Sequence, residues 1–528
     1  MLVALVAVVI YFNGIPGDFV FDDKLIVRDP RINAKESFWR IFVTDYWYTY
    51  FGTSADLYRP VTIASYALNF KIAGLYSPAF HAVNILLHAV VCVLVLVLVD
   101  SLLRDRLLAV VSALLFATHP IHTEAVTGIV GRAEILTALF LLVALCLHAR
   151  RYTVGGVGAA VWLPVAGAAY FCALLSKETA IVGPGLLLLV DGVDRARDAW
   201  QEPTPERRRT AFMARSVPQT VAALVMYVGV AALFVFIRFL VVGLFLQRPP
   251  AKTYYLLFGH PLTTRLLTGF KILAIYLRLL FFPLTLSADY SYRQVVLSQS
   301  LDSAACVVGM VAAACLVAAF VWALRARVLG LLFGLGFFAI AYSLIGNLIV
   351  PIGVLVAERL LYLPSVGFCV AVAWAGVALS RRYVLATGAR WLRHVPVGAL
   401  ALVLALYSAR TFVRNFDWRN HVTLYRATTE ASPECHAARF NYSAILMQEQ
   451  RNDPVAQEEA LRQLQKAYEI RQDHFPSLVN MTMLYMDRGE WEKAREYALQ
   501  GVKVAPNNKK IKGLLKTVED QLRQRQKG

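Results

Sequence analysis

Long apolar runs recur along most of the chain, and short polar segments separate them. Runs such as 89–99, 157–175 and 328–350 carry no charged residue over much of the length that a helix needs to cross a bilayer core of roughly 30 Å. The pattern therefore predicts a polytopic integral membrane protein. We predict eleven spanning helices, at about 1–13, 82–103, 107–119, 134–149, 157–175, 179–191, 219–242, 303–324, 328–350, 359–380 and 395–413.

Basic residues concentrate in alternate loops between these runs. Because cytoplasmic loops carry an excess of Lys and Arg, we predict that the basic loops are cytoplasmic, that the N-terminus is cytoplasmic and that the C-terminus is not. The segment 263–283 is apolar, but Lys271 and Arg278 lie seven residues apart on one helical face. A span there would invert every later loop, so we predict an interfacial or re-entrant helix. The basic loops contain Arg104 and Arg106, Arg150 and Arg151, the 195–215 stretch, Arg325 and Arg327, and the 381–393 stretch.

The composition changes at about residue 417 to Glu, Gln, Arg and Lys with a helical period. The spacing of Asn480, Tyr485, Gly489, Ala494 and Pro506 matches that of a tetratricopeptide repeat. We therefore predict a transmembrane domain at 1–416 and an extracytoplasmic tetratricopeptide-repeat domain at 417–528. Two roles stay open for the repeats: presenting a groove to a peptide or partner protein, or bracing the membrane domain.

Composition supports a membrane protein and argues against a nucleic-acid-binding protein and against a protein held together by disulfides or a CxxC metal site. Hydrophobic residues make up 58% of the chain, and the mean hydropathy is +0.55. The net charge of +18 would suggest a nucleic-acid partner in a soluble protein, but here the Arg residues occupy loops between apolar runs, so we expect no nucleic acid. Most of the seven Cys residues fall in or beside apolar runs, and their spacing gives neither a disulfide framework nor a CxxC metal site.

Two adjacent carboxylates, Asp22 and Asp23, follow the aromatic residues Phe19 and Phe21 at the predicted membrane surface. Acidic residues at such a depth are costly unless they bind a cation, pair with a base or accept a proton during a reaction. The alternative is a solvated charge in a loop.

A second polar group follows the predicted third span and contains His119, His122, Glu124 and Arg132. The spacing of the two imidazoles and Glu124 would suit a metal, but Pro120 interrupts the helix that would align them. We therefore favour hydrogen-bonding roles over metal ligation.

Further charged groups lie at predicted extracytoplasmic ends of the spans. Adjacent opposite charges can simply offset each other's burial, but several clusters on one predicted face favour a binding site. Four cations could clamp a phosphate through charge-assisted hydrogen bonds: Arg59, Lys177, Arg278 and Arg359. Their acidic partners would be Asp22, Asp23, Glu124 and Glu178. No Walker loop, GxGxxG motif or nucleophilic Ser elbow occurs, so the donor of a transferred group is expected to be a lipid.

The order of the motifs from residue 12 to 425 resembles that of the transmembrane and tetratricopeptide-repeat O-mannosyltransferases, and the repeats follow where that family has them. The ordered set is specific. Its segments are Phe19-Val20-Phe21-Asp22-Asp23, Tyr58-Arg59-Pro60-Val61-Thr62, Phe80-His81-Ala82-Val83-Asn84 with His88, His119-Pro120-Ile121-His122-Thr123-Glu124-Ala125-Val126 with Gly131-Arg132-Ala133-Glu134, Ser176-Lys177-Glu178, Leu286-Ser287-Ala288-Asp289-Tyr290-Ser291, and Ala357-Glu358-Arg359-Leu360-Leu361-Tyr362-Leu363-Pro364-Ser365-Val366-Gly367.

The resemblance implies an all-α C-type glycosyltransferase fold, with about eleven spans plus an interfacial helix. It implies that a polyprenyl-phosphate sugar, expected to be mannose, docks from the membrane and that a protein acceptor enters from the extracytoplasmic side. An acidic residue of the first outer loop would deprotonate a Ser or Thr hydroxyl, which displaces the lipid phosphate at the anomeric carbon with inversion. We favour Asp23 as this base, with Asp22 orienting acceptor or sugar. The implied substrate-binding residues are Arg59, His119, His122, Glu124, Arg132, Lys177, Glu178, Arg278, Asp289, Glu358 and Arg359.

Several alternatives stay open at this stage. Eukaryotic members of that family have longer repeat arrays, so the acceptor here could also be a lipid or a polysaccharide. A transporter or a non-enzymatic membrane-anchored repeat scaffold is a further alternative. The donor lipid is expected to be of the dolichyl type in the endoplasmic reticulum membrane, with a luminal tail, or of the undecaprenyl type in a bacterial inner membrane, with a periplasmic tail. A divalent cation stays open as a cofactor.

Overall fold

The computed structural model describes residues 1–48, 57–150, 157–214, 217–243, 257–301, 303–348, 351–387 and 394–527. Within these ranges all regular secondary structure is helical. The chain divides into a membrane unit, made of Met1–Leu284 and Leu297–Arg419, and a tail unit, made of Thr285–Val296 and Asn420–Gly528. The tail unit therefore begins three residues after the boundary predicted at 416/417, and it includes a short segment that the prediction assigned to the membrane domain.

The first helices of the membrane unit lie within the described residues up to Arg150. Short 3₁₀ turns at Phe21–Asp23, Pro120–His122 and Ile129–Gly131 connect several of them. The helices are α1 (Leu2–Tyr11), α2 (Lys24–Arg28), α3 (Arg40–Val43), α4 (Pro60–Ala73), α5 (Ser77–Leu103), α6 (Arg106–Thr118), α7 (Thr123–Val126) and α8 (Arg132–Arg150).

The remaining helices of the membrane unit follow in order, with 3₁₀ turns at Glu178–Val182 and Glu358–Leu361. They are α9 (Val157–Ser176), α10 (Gly183–Ala199), α11 (Pro205–Ala214), α12 (Val217–Val242), α13 (Leu262–Phe281), α14 (Ala304–Ala326), α15 (Leu329–Ile345), α16 (Pro364–Thr387) and α17 (His394–Asp417).

Six of the described helices are long and apolar enough to cross a membrane, which confirms an all-helical, multi-pass protein. They are Ser77–Leu103, Ile129–Arg150, Gln219–Val242, Ala304–Ala326, Pro364–Arg382 and Val395–Asp417. The pair Arg106–Thr118 and Pro120–Val126 is bent by 51° and would count as a seventh. Shorter apolar helices at Leu2–Gly14, Val161–Ser176 and Leu329–Ile345 cover three more predicted spans. The total of eleven stays a prediction.

Two segments differ from ordinary spans in the described helices. The predicted span at 179–191 starts as a 3₁₀ turn and continues as α10, which carries Asp191 and Asp194 and runs on to Ala199. Helix α13 does not meet the requirements for a span, in keeping with the three basic residues along it. Helices α12, α14 and α17 instead expose large apolar side chains such as Phe236, Val308 and Leu406, as lipid-facing helices do.

Close helix packing inside the membrane unit depends on small residues. A Cβ added at Gly334 of α15 would lie 2.7 Å from the backbone nitrogen of Ala371 in α16. Gly367 of α16 approaches the backbone of Phe338 in the same way. Because a lipid environment gives no hydrophobic drive between helices, such close backbone contact is what stabilises the pair.

The tail unit is a series of helices joined by short connections, so neighbouring helices run antiparallel. Helix α19 packs on α20, and α21 packs on α22 and then α23. Leu464, Met481, Leu484 and Tyr485 form its core with Ala494, a small residue that lets the helices approach closely. The helices are α18 (His421–Ala431), α19 (His436–Glu449), α20 (Pro454–Ile470), α21 (Phe475–Asp487), α22 (Trp491–Val504) and α23 (Lys509–Lys527).

Candidate active site

The two adjacent carboxylates lie in the 3₁₀ turn Phe21–Asp23 but have different surroundings. Asp23 is only 2% exposed. Its Oδ1 accepts a hydrogen bond from the backbone N–H of Val130 at 2.7 Å. Its Oδ2 accepts from Val20 at 3.1 Å and from Ile129 at 3.4 Å. Asp23 therefore joins the first loop to the turn that precedes α8.

Burial raises the pKa of Asp23 to about 7, although the backbone N–H donors of Val130, Val20 and Ile129 oppose the shift. The negative charge of Asp22 adds to the increase. Asp23 thus exchanges a proton near neutral pH, but three backbone donors already occupy its oxygens. Asp22 is only half-buried.

Arg359 links Asp22 to the rest of the site through electrostatic attraction. Its Nη1 donates to Glu124 Oε1, and its backbone N–H donates to Glu124 Oε2 at 2.8 Å. Burial disfavours the charge of Arg359, but Glu124, Asp22 and Glu134 outweigh burial and raise its pKa. The guanidinium is therefore permanently charged and lies in the field of three carboxylates.

A second ion pair joins the residue before α4 to the turn after α9. Arg59 donates from Nε to Glu178 Oε2 at 3.0 Å and from Nη2 to Glu178 Oε1 at 2.6 Å. Burial raises the pKa of Glu178, but Arg59 and Lys177 outweigh it and lower the pKa to about 2. Glu178 therefore stays ionised at physiological pH and holds the guanidinium fork in place.

Two further members of the site are not among the residues that sequence reasoning selected. Glu134, at the start of α8, accepts a hydrogen bond from the ammonium group of Lys177. The Tyr46 ring lies under the Arg59 guanidinium, 5.2 Å from its carbon, and Tyr46 is 3% exposed. Glu134 has a signal in the sequence, because it follows Arg132 in a polar motif. Tyr46 has none, because only folding brings it under Arg59.

These groups form one electrostatic neighbourhood. Burial lowers the pKa of Lys177. The negative charges of Glu134 and Glu178 oppose this decrease, whereas the positive charges of Arg59 and Arg359 add to it. The structure thus unites Arg59, Lys177 and Arg359 with Asp22, Glu124, Glu134 and Glu178. Each cation has a carboxylate partner, and a guanidinium offers five N–H donors, so both Arg side chains can also bind an added anion.

Arg132 has a different environment, since it is fully buried and bonded to neutral acceptors. It donates to the Asn84 side chain at 2.7 Å, to the Asn69 side chain at 2.9 Å and to the Phe80 carbonyl at 3.0 Å. Its guanidinium carbon lies 4.7 Å from the centre of the Tyr66 ring. Arg132 therefore ties α4, α5 and α8 together.

The two histidines of the second polar motif are fully buried and make hydrogen bonds. His119 Nδ1 accepts from the Ile121 backbone at 3.2 Å, so its Nε2 is the donor to the Leu280 carbonyl at 2.9 Å. His122 Nε2 contacts the Ser365 hydroxyl at 2.7 Å. Among the described residues, no group of three or more His, Cys, Asp or Glu side chains is arranged to hold a metal ion.

Three other predicted site residues, Arg278, Glu358 and Asp289, have surroundings of their own. Arg278 is exposed on α13. Glu358 is fully buried in the turn before α16, within electrostatic reach of Arg410 in α17. Asp289 belongs to the tail unit, where its Oδ1 accepts from the Ser291 backbone at 2.8 Å.

The fold and this cluster define a multi-pass membrane protein with a buried site of paired charges. No family model matches the chain. The chain is 28% identical over 533 residues to protein O-mannosyl-transferase TMTC3 of Homo sapiens, covering 96% of this chain and 55% of the relative. It is 29% identical to TMTC1 of Homo sapiens, with 91% and 56% covered, and 28% identical to TMTC4 of Mus musculus, with 84% and 63% covered.

These relatives confirm the resemblance that the motifs indicated, and they carry the name of the enzyme class that it implied. The chain spans little more than half the length of the relatives named first. Among solved structures, it is similar to archaeal oligosaccharyltransferase AglB from Archaeoglobus fulgidus in complex with an inhibitory peptide and a dolichol-phosphate. That similarity has a TM-score of 0.41 and 13% identity, and it covers 87% of this chain and 58% of the other.

Proposed function

We propose that the protein is an inverting glycosyltransferase, which moves mannose from a polyprenyl-phosphate donor to Ser or Thr hydroxyls of protein acceptors at the extracytoplasmic membrane face. The observation that carries the proposal is the cluster of Asp22 with Arg359, Glu124, Lys177 and Glu134. A half-buried carboxylate beside permanently charged cations suits transfer from a phosphate leaving group. The names of the relatives support mannose and a protein acceptor.

In this proposal Asp22 is the catalytic base, whereas the sequence alone favoured Asp23. Three backbone N–H groups bind the oxygens of Asp23, so its carboxylate serves to hold the turn. Asp22 lies on the same turn, is partly exposed and is close enough to Arg359 to raise the pKa of its guanidinium. A base must reach the proton that it removes, and Asp22 has the accessible surface for that contact.

The reaction is a single displacement. The Asp22 carboxylate takes the proton of the acceptor hydroxyl, and the oxygen forms a bond to the anomeric carbon of the sugar. The bond from that carbon to the phosphate oxygen breaks, and the phosphate keeps the electron pair. Arg59 and Arg359 stabilise the negative charge that develops on the leaving phosphate through charge-assisted N–H donors, and Lys177 adds a buried positive charge.

The carboxylate partners of the cations have a positioning role. Glu178 holds both Nε and Nη2 of Arg59, and Glu124 binds the side chain and the backbone N–H of Arg359. These bonds fix the two guanidinium planes before the donor arrives, so no free energy is needed to order them during the reaction. The basic residues lie among apolar helices, which suits a donor with a lipid tail.

The tail unit is a tetratricopeptide-repeat domain that engages the protein acceptor. The matching spacing of small and aromatic residues supports this role, as does the helix pairing of α19 with α20 and of α21 with α22. Stacked helix pairs of this type present an extended surface for a peptide segment.

The test is a transfer assay with purified protein, polyprenyl-phosphate mannose and a peptide acceptor that contains Ser and Thr. We expect Asp22→Asn to lower kcat by about 10²- to 10⁴-fold, the usual contribution of a general base. Asp18→Asn is the matched control, because Asp18 is an exposed carboxylate of the same loop. Full activity of the Asp22→Asn variant would contradict the base assignment. Absence of mannose transfer by the folded wild-type protein would contradict the proposed function.

A further inference from the structure

The segment 285–296 connects α13 to α14 along the chain, yet it belongs to the tail unit. It contains the motif from Leu286 to Ser291, which stands in sequence order with the predicted site motifs. The segment nevertheless folds as part of the tail unit.

The motif residues first shape the segment itself. The Ser287 hydroxyl donates to the Asp289 carbonyl at 2.9 Å, and the Ser291 backbone N–H donates to Asp289 Oδ1 at 2.8 Å. Leu286 is 1% exposed and Tyr290 is 6% exposed. Asp and Ser form local side-chain turns of this kind. Ser287 and Asp289 therefore stabilise the turn of the segment, while the buried side chains of Leu286 and Tyr290 hold it in place.

The segment also provides hydrogen-bond partners for backbone groups at the start of helix α19. The Tyr292 carbonyl accepts from the His436 backbone N–H at 2.9 Å, and the Arg293 N–H donates to the Glu434 carbonyl at 3.1 Å. Gln294 Oε1 accepts from the Glu434 N–H at 3.1 Å. The N-cap residue Cys435 makes no side-chain cap bond. Because the first N–H groups of a helix have no partner within it, the segment supplies the missing acceptor.

Side-chain contacts extend this interface over the turn between α18 and α19 and to the end of α20. The Ser432 hydroxyl donates to the Ser287 hydroxyl at 2.7 Å. The Arg471 guanidinium lies 5.6 Å from the centre of the Tyr292 ring. Ser432 and Cys435 have no exposed surface with the segment in place.

We infer that residues 285–296 are a built-in docking segment for the tail, which caps α19 and covers the α18–α19 turn. The partner of this tail surface is thus the chain's own loop between α13 and α14. The tail domain is complete only when this segment is seated on it, and the motif 286–291 serves this attachment. The inference does not depend on the proposed enzymatic activity.

The test is hydrogen exchange measured by mass spectrometry on the full chain in detergent. In one variant a Gly/Ser linker of equal length replaces residues 286–295. We expect the backbone amides of Glu434 and His436 to exchange about tenfold faster or more, because each loses its acceptor. Faster exchange over the whole tail would also support the inference, since the segment would then be part of the tail core. Unchanged exchange at these two amides would overturn it.

A narrower variant avoids any large change in the loop. Gln294→Ala removes one acceptor, so we expect faster exchange at Glu434 and an unchanged rate in α21 and α22. The matched control is Ser443→Ala, which removes a buried hydroxyl of α19 that donates to Phe440 of the same helix at 2.7 Å. Equal exchange rates at Glu434 in the wild type and in Gln294→Ala would contradict the contact.

Discussion

The carboxylate of Asp23 accepts a hydrogen bond from the backbone N–H of Val130, 2.7 Å away and 107 residues later in the chain. This bond holds the first loop against the turn that leads into α8. The same α8 begins with Arg132 and carries Glu134, the partner of Lys177. The position of the Asp22 and Asp23 turn relative to the cations is therefore set by a buried carboxylate.

We predict that Asp23→Asn destabilises the protein by about 1–3 kcal/mol, because the amide cannot accept three backbone N–H bonds and places its own donors against them. Thermal unfolding of the purified variant in detergent would measure the change. The exposed Asp18→Asn should stay within about 0.5 kcal/mol of the wild type. Equal loss in both variants would show that Asp23 holds no special contact.

The raised pKa of Asp23 predicts a pH dependence of stability. Its pKa of about 7 in the folded state lies above the usual value of 3.8, so the folded state binds the proton more tightly than the unfolded state between these values. The contribution of Asp23 to stability therefore increases as the pH falls from about 7 towards 4, with a slope of up to about 1.4 kcal/mol per pH unit.

The measurement is the difference in unfolding free energy between the wild type and Asp23→Asn from pH 8 to pH 5. Other titrating groups are common to both proteins and largely cancel. The advantage of the wild type should grow towards pH 5. A difference that is constant with pH would mean that Asp23 titrates well below this range.

We expect Glu124→Gln to destabilise the protein by about 3–5 kcal/mol, because it leaves Arg359 without its buried carboxylate partner. Glu124 is 3% exposed. The control is Glu459→Gln, which removes the partner of Arg462 in an exposed pair, where the expected change is at most about 1 kcal/mol. Thermal unfolding of both variants measures the two changes in stability. An effect of Glu124→Gln as small as that of Glu459→Gln would contradict the buried ion pair.

Arg132→Lys is predicted to be strongly destabilising although it keeps the charge. An ammonium group cannot reproduce the planar fork that binds Asn84, Asn69 and Phe80, nor its stacking on Tyr66. We expect a loss of about 2 kcal/mol or more, as for a broken buried network. The exposed Arg207→Lys is the control, and equal stability of the two variants would refute the structural role of Arg132.

The sequence shows the separate polar motifs but not which charged residues pair with each other. Opposite charges that are adjacent in the sequence, such as Lys177 and Glu178, suggested ion pairs between neighbouring residues. The structure instead gives Lys177 to Glu134 and Glu178 to Arg59. Side chains that follow each other along a turn point in different directions, so their partners come from other helices.

Asp289 and Tyr46 show the same limit in opposite ways. Asp289 lies in a motif that stands in order with the site motifs, yet the structure places it in the tail unit. Tyr46 has no motif, yet it lies under Arg59. Neither placement follows from composition or periodicity, because both depend on how loops pack after the helices assemble.

The sequence by itself determined the apolar helices, the change to a polar helical tail and the types of charged residue available to a site. Local patterns specify these features, since hydrophobic runs and helical periods act over a few turns of chain. Only the tertiary structure decided which carboxylate holds a loop, which cation each acid binds and where the segment 285–296 belongs. Those choices require contacts between residues far apart in the chain, 107 positions for Asp23 with Val130, 145 for Ser287 with Ser432 and 43 for Lys177 with Glu134. Burial then determines how strong each contact is.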